Sequence, residues 1–356
     1  MQVSIFDGSQ PFKITKPIRL IELFSGYGSQ ALALKYLGIP FEHYRIAEWA
    51  VKSIQAYKDL HFGEDSTDYS VTLSKEKVYE FLYKRGISND YNVPMTYEQI
   101  KRLSEVKARQ IYNNIKATHN LVSVCNISGK ELAITETDKY CYIMTYSFPC
   151  QDLSNAGKGA GMEKGSGTRS GLLWEVERLL LECKELGEIP QVLLMENVPE
   201  VIGKKNIKHF AKWLATLDRL EYRSKWQILN ATDFNIPQNR ERLFMVSLLG
   251  DYYYEFPNPI GCKVKLKDIL EQNVPESYYL KDGTIIKLNE CKERCDATPK
   301  TFNAGAGDSL QISFIDDENC FGIMTGTSEK FTAQPLKNCA RSITTEGKNG
   351  VLEWKK

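Results

Sequence analysis

The chain has 356 residues, 42% hydrophobic and 26% charged, with 46 Lys+Arg against 45 Asp+Glu and a formal net charge of +1. That is the composition of a soluble globular protein, long enough to bury one large core or two ordinary ones. It contains no run of about 18 apolar residues and no apolar amino-terminal signal, so a cytoplasmic protein without a membrane partner is expected. Nine cysteines, an odd number at irregular spacing, predict reduced thiols rather than a disulfide framework. The balanced charge removes the footprint of a generally basic nucleic-acid-binding domain, so any phosphate contact has to come from a local patch.

Residues 1–17 read as a polar lead-in. Residues 18–24 read as a buried parallel strand, Ser25-Gly26-Tyr27-Gly28 as a tight turn, and residues 29–37 as a helix stopped by Gly38. A second strand over 43–47 ends at Glu48-Trp49. From about 59 to 120 the chain turns charged and helical, notably over 74–85 and 96–117, and reads as an insertion decorating a sheet. The strand–helix alternation resumes at Leu121, with strands at 141–147, 191–196 and 242–248 and amphipathic helices at 174–186 and 207–220. This pattern predicts an α/β fold with a doubly wound, mostly parallel sheet over 18–250. Beyond Gly250 short apolar pieces alternate with Gly, Asn, Thr and Asp, predicting a smaller, irregular, β-rich region over 251–356.

Three local patterns carry chemistry. In Phe24-x-Gly26-x-Gly28 the glycines let the backbone approach a ligand closely, because they accept positive φ and lack Cβ. Glu48, ending the next strand, is placed to accept from ribose hydroxyls, and Phe24 and Trp49 to pack on an adenine ring. The third glycine of the dinucleotide pattern is missing, which points to a single nucleoside. In Pro149-Cys150-Gln151 a thiol follows a strand; most cysteines are small buried hydrophobes, but a thiolate here is a strong nucleophile. Glu196 ends an apolar strand and is costly to bury unpaired. It is either half of a structural ion pair or a protonated donor to a ring nitrogen. Gln238, Arg240 and Arg242 alternate and so share one face of a strand, either as a solvated strand start or as forked donors to phosphate and carbonyl oxygens.

Taken in order, Phe24-Ser25-Gly26-Tyr27-Gly28, Glu48-Trp49, Pro149-Cys150-Gln151, Gly171-Leu172-Leu173, Glu196-Asn197-Val198 and Gln238-x-Arg240-x-Arg242 resemble the DNA (cytosine-5) methyltransferases over residues 18–248. The resemblance implies a Rossmann-like fold and transfer of a methyl group from S-adenosyl-L-methionine to C5 of a cytosine flipped out of double-stranded DNA. It implies Cys150 as nucleophile at C6, Glu196 at N3, Arg242 at O2 and Arg240 at a nearby phosphate. For the cofactor it implies Phe24, Ser25, Gly26, Gly28, Glu48, Trp49, Pro149 and Leu172, with Asn126 and Ile127 where the family usually has an aspartate facing the adenine amino group. Gln151, Ser154, Asn197 and Gln238 would meet DNA. Residues 152–170, with five glycines and Ser154, Lys158, Lys164 and Arg169, would be the loop closing over the flipped base.

The resemblance thins after residue 250. Ala340-Arg341-Ser342-Ile343-Thr344 is similar to the strand leaving a target recognition domain, but no Gly-Asn-Ser helix follows before Lys356. The expectation is therefore a chain that methylates poorly alone and draws the missing segment from a second polypeptide, in a restriction–modification system with a cognate endonuclease. The alternatives are a DNA-binding subunit without activity of its own and a tRNA cytosine methyltransferase, whose Cys-Phe-Thr signature is absent. Cys291-x3-Cys295 with Cys320 and Cys339 lacks histidines and clean zinc spacing, so no metal is expected.

Overall fold

The computed structural model describes residues 9–150, 153, 161–264 and 266–269, and short strands at 302–303, 309–310, 321–324, 340–341 and 350–353. The first half holds β1 (Gln10–Pro11), β2 (Ile18–Leu23), α1 (Ser29–Tyr36), β3 (Phe41–Ala47), α2 (Val51–Phe62), α3 (Lys75–Arg85), α4 (Tyr97–Lys101), α5 (Glu105–Ala117), α6 (Gly129–Leu132) and β4 (Cys141–Tyr146). Then come α7 (Leu173–Glu185), β5 (Val192–Asn197), α8 (Ile207–Arg219), β6 (Tyr222–Asn230), β7 (Gln238–Asn239), β8 (Glu241–Leu249) and β9 (Tyr252–Tyr253).

Six strands form one sheet in the order β3-β2-β4-β5-β8-β6. The pairs β2–β3, β2–β4 and β4–β5 are parallel, and β8 runs antiparallel to β5. The sheet is thus mostly parallel, as the sequence predicts. Its central strands are apolar along their length because both faces are covered. Ile21 and Leu23 join Met144, Tyr146, Leu193 and Met195 in the main core with Leu179 and Leu180 of α7 and Phe210 and Trp213 of α8. Glu22, on the opposite face of β2, meets Ala31 of α1 and Tyr57 of α2. Helices on both faces make the sheet doubly wound. β6, absent from the sequence-based expectation, is half-exposed at the sheet edge, and its lysine and glutamine interrupt an apolar alternation.

The expected single helix over 96–117 is two. Arg102 caps α4, and Ser104 starts α5 by accepting from the backbone N–H of Lys107. The insertion owns a second apolar cluster that reaches back before residue 59 to the start of α2: Val78, Leu82, Ile100, Ile111 and Ile115 pack with Val51 and Ile54. It docks onto the end of β3: the N–H of Val51 donates to the carbonyl of Ser88 at 2.9 Å and that of Ser88 to Trp49 at 2.7 Å. The charged insertion is therefore a buttress of the strand end that carries Glu48.

The chain divides into two compact units, 1–228 with 242–256, and 229–241 with 257–356. The boundary expected at residue 250 is displaced because Gln238–Asn239 pairs in parallel with Ala340–Arg341, and Asp233 accepts from the N–H groups of Ile260 and Gly261. The second unit also pairs Phe302–Asn303 with Ser309–Leu310 and Phe321–Met324 with Gly350–Glu353. Among the described residues no helix is long and apolar enough to cross a membrane. Cys291, Cys295, Cys320 and Cys339 lie outside the described residues.

Trp213 of α8 is fully buried and donates its indole N–H to Tyr146 Oη at 3.2 Å. Trp213→Ala empties the centre of the main core and leaves a buried hydroxyl unpaired, so it should cost about 3–5 kcal/mol in urea unfolding. A loss below about 1 kcal/mol would contradict this packing.

Candidate active site

The turn after β2 is built by backbone conformation. Phe24, Gly26 and Gly28 have φ of 58°, 55° and 82°. A Cβ on Gly26 would meet nothing, so that side of the turn is open to a ligand. On Gly28 it would lie 2.5 Å from both His61 and Tyr57, so only glycine fits. Ser25 is buried and its hydroxyl has no partner among the described residues. An unused buried hydroxyl beside an open glycine turn fits a polar nucleoside cofactor such as S-adenosylmethionine. Glu48 closes the turn: Oε2 accepts from the N–H of Gly26 at 2.9 Å and Oε1 from that of Ala50 at 2.7 Å. Burial pushes its carboxyl up to about 7 against the pull of these N–H donors.

Behind Glu48 stands Asn120, which the sequence analysis did not single out. Its Oδ1 accepts from the N–H of Glu48 at 3.1 Å while its Nδ2 donates to the Glu48 carbonyl at 2.9 Å. The same oxygen accepts from Val122 N–H. Asn120 also bridges in parallel to Ile46, extending the sheet beyond β3. Its signal was the Asn-Leu-Val run that ends the charged insertion.

The catalytic edge comes from β4, β5 and β8. Register pairs Tyr146 with Met195, so Ser147 to Cys150 leave the end of β4 beside Glu196 and Asn197, the last residues of β5, which stay paired with Phe244 and Leu243 of β8. Asn197 Nδ2 donates to the Phe148 carbonyl at 2.9 Å, and Asn197 Oδ1 accepts from Val198 N–H. Ser170 Oγ donates to the Pro149 carbonyl at 2.8 Å. The Pro149-Cys150 turn is thus held from two sides, with Cys150 half-buried against the main core. Glu196 forms the ion pair that the sequence left open: Arg242 Nε lies 3.0 Å from its Oε1, and the two side chains are 19% and 21% exposed. The pair is thus mostly buried but keeps partial access to solvent.

Other expected residues fall elsewhere. Asn197 is buried with both ends of its amide engaged by backbone, which removes it as a DNA contact and makes it a brace of the thiol turn. Asn126 is exposed in a 3-10 turn and donates to the Lys84 carbonyl, while Ile127 is core. The amide beside Glu48 is that of Asn120. Trp49 packs partly against the cluster of the insertion, Phe24 and Leu172 against the main core. Gln238, Arg240 and Arg242 do not share a strand face: the strand breaks at Arg240, and Gln238 and Arg240 belong to the second unit. Gln151, Ser154 and Lys158 lie outside the described residues. Lys164, expected in the loop, instead ion-pairs with buried Glu177, and Arg169 donates to Asn92 Oδ1 at 2.7 Å.

A buried polar knot missed by the sequence analysis lies beneath the glycine turn, though Glu22 in Leu20-Ile21-Glu22-Leu23 was its visible signal. Tyr57 Oη donates to Glu22 Oε2 at 2.6 Å, and Glu22 Oε1 accepts from Ala31 N–H at 3.2 Å. His43 Nδ1 lies 2.9 Å from Tyr57 Oη, and His61 Nε2 lies 2.9 Å from the Tyr27 carbonyl. Glu22 thus ties β2 to the first turn of α1, and Tyr57 fills the space that Gly28 leaves. Burial raises the Glu22 carboxyl from 4.5 to about 7. The folded chain therefore holds this proton more tightly than the unfolded chain. Stability from it is fully present below about pH 4.5 and is lost as pH rises through about 7. His43, which burial lowers to about 3, works in the opposite sense at acid pH but is common to both proteins compared here. Urea unfolding from pH 5 to 8 should show wild type losing on the order of 3 kcal/mol relative to Glu22→Gln. Parallel pH profiles would refute a carboxyl titrating in this window.

Residues 98–350 match the family model of the C-5 cytosine-specific DNA methylases. The type II methyltransferase M2.ScrFI of Lactococcus lactis subsp. cremoris is 36% identical over 271 residues, covering 75% of this chain and 71% of that protein. The orphan methyltransferase M.SssI of Spiroplasma monobiae is 35% identical over 280 residues, covering 78% and 71%. The crystal structure of S. pombe Dnmt2 methyltransferase aligns at a TM-score of 0.46 and 16% identity, over 76% of this chain and 65% of that one. On the family match and these two sequence relatives, the chain belongs to the C-5 cytosine-specific DNA methylases, which transfer a methyl group from S-adenosylmethionine to C5 of cytosine in DNA.

Proposed function

We propose that Cys150, Glu196 and Arg242 carry out this reaction, and that Ser25, Gly26, Gly28 and Glu48 hold the cofactor. The observation that carries the proposal is that the Cys150 segment leaves β4 beside the end of the neighbouring parallel strand β5, where Glu196 stands, with Arg242 of β8 closing on Glu196 at 3.0 Å. C5 of cytosine is buried in the stacked duplex and C6 is a weak electrophile, so the base has to leave the stack and be activated at both ends of the ring.

In this scheme the Cys150 thiolate bonds to C6 while Glu196 hydrogen-bonds at N3 and delivers a proton there. The C5–C6 π electrons then form an enamine, nucleophilic at C5. Arg242 donates to O2 and, through its ion pair, sets the angle of Glu196. S-adenosylmethionine supplies an electrophilic methyl group to C5. Loss of the C5 proton to a base, departure of the Cys150 thiolate and return of the N3 proton to Glu196 restore the neutral aromatic ring. Ser25 and the open turn at Gly26 are placed for polar atoms of the cofactor, and Glu48, ionised above about pH 7, for ribose hydroxyls. The type II name of the Lactococcus relative supports a restriction–modification setting with a cognate endonuclease.

Duplex DNA carrying 5-fluorocytosine tests the nucleophile, because that base has no C5 proton to lose. With S-adenosylmethionine the wild-type chain should form a denaturant-stable protein–DNA adduct that Cys150→Ser does not form. An adduct of equal yield from Cys150→Ser would assign the chemistry to another residue. Asn197→Ala, which releases the thiol turn and strands a buried carbonyl, should slow adduct formation at least tenfold with the affinity for S-adenosylmethionine within threefold of wild type. A rate within twofold of wild type would remove Asn197 as a brace.

A further inference from the structure

The chain's charge is balanced overall but not locally. From Val201 to Leu217 it carries Lys204, Lys205, Lys208 and Lys212 and no acid. All four lysines are exposed, and none has an ion pair among the described residues. The flanking acids are Glu200 and Asp218, and Asp218 is taken by Arg223 at 2.9 Å. The lysines crowd the amino-terminal end of α8, where the helix dipole disfavours cations. α3 to α7 each place a glutamate in the first turn, whereas α8, like α1 and α2, has no acid there. Its N-cap residue, Asn206, makes no side-chain cap, and its buried Oδ1 has no partner among the described residues. An arrangement that breaks a local rule without compensation in the fold points to function.

Position supplies the partner. α8 is entered directly from Glu196–Asn197 through the 3-10 turn Pro199–Ile202, so the lysines begin eight residues after Glu196 at the same edge of the sheet. The returning end of the segment that follows Cys150 is also here: a Cβ on Gly161 would lie 3.3 Å from Asn206 Oδ1. A duplex that presents a cytosine at this edge brings its phosphates with it. Lys208 and Lys212 are four residues apart, about 6 Å along the helix, which spans roughly two phosphate steps of one strand. Lysines act as point charges on phosphate and do not read bases.

We propose that Lys204, Lys205, Lys208 and Lys212 form a sequence-independent clamp on the DNA backbone beside the reacting cytosine. The proposal rests on the reading of DNA as substrate and deepens it by naming the surface that holds the phosphates.

The test measures duplex DNA binding by fluorescence anisotropy between 50 and 200 mM salt. It compares wild type, a variant with all four lysines changed to glutamine, and one with all four changed to arginine. Each lost phosphate contact lowers the slope of log K against log[salt] by about 0.9, so the glutamine variant should lose about 3.6 in slope. It should bind at least tenfold more weakly at 50 mM salt, equally on unrelated sequences, while the arginine variant keeps the wild-type slope. Removing cations from the helix start should leave the melting temperature unchanged or raised. Equal slopes for wild type and the glutamine variant would overturn the clamp, as would loss of binding to an acidic polypeptide with DNA binding intact. A matching loss in the arginine variant would show that geometry rather than charge is at work and would also overturn it. If wild type fails to form the 5-fluorocytosine adduct, the methylation reading fails instead, and the two failures are distinct.

Discussion

The bond from the Asn197 amide to the Phe148 carbonyl joins the last residue of β5, paired with Leu243 of β8, to a segment that has just left β4 and has no ladder partner left. Beyond the last paired residues, Tyr146 of β4 and Asn197 of β5, backbone groups need side chains to satisfy them. One buried amide does so for both segments and thereby sets where a thiol and a carboxylate can stand together. The nucleophile, the Glu196–Arg242 pair and the anchoring of Pro149 by Ser170 all depend on that closure.

The cofactor side follows the same logic with buried carboxyls. Glu22 and Glu48 lie under and beside the glycine turn, and each spends its oxygens on backbone N–H groups or on Tyr57. Burial raises both to about 7, so each is poised between neutral and ionised near physiological pH. The turn is held by groups whose hydrogen bonding changes with protonation, and the helical insertion holds the strand end that carries one of them through Asn120, Ser88 and Val51.

The sheet was legible because its strands are apolar runs closed by turn residues, and Gly38, Ser74 and Ser104 mark helix ends by local chemistry. The thiol turn, the glycine turn and Glu196 were legible because unusual residues sit at strand ends. β6 was not, since an edge strand with one wet face carries a mixed sequence. Asn197 read as a ligand contact because polarity alone does not tell a buried amide from an exposed one. Asn120 was not legible as the partner of Glu48, because the parallel bridge of Ile46 with Asn120 is a contact between residues 74 apart.

By itself the sequence determined the fold class, the family and the chemistry-bearing residues at strand ends, since these depend on local periodicity and residue type. Only the tertiary structure decided that Arg242 pairs with Glu196, that Asn197 and Asn120 are braces, and that Gln238 and Arg240 belong to another unit. Those facts depend on register and burial between distant segments, which no local pattern encodes. The lysines of α8 show both levels at once: their charge was written in the sequence, and their place at the reactive edge came from the strand that leads into the helix.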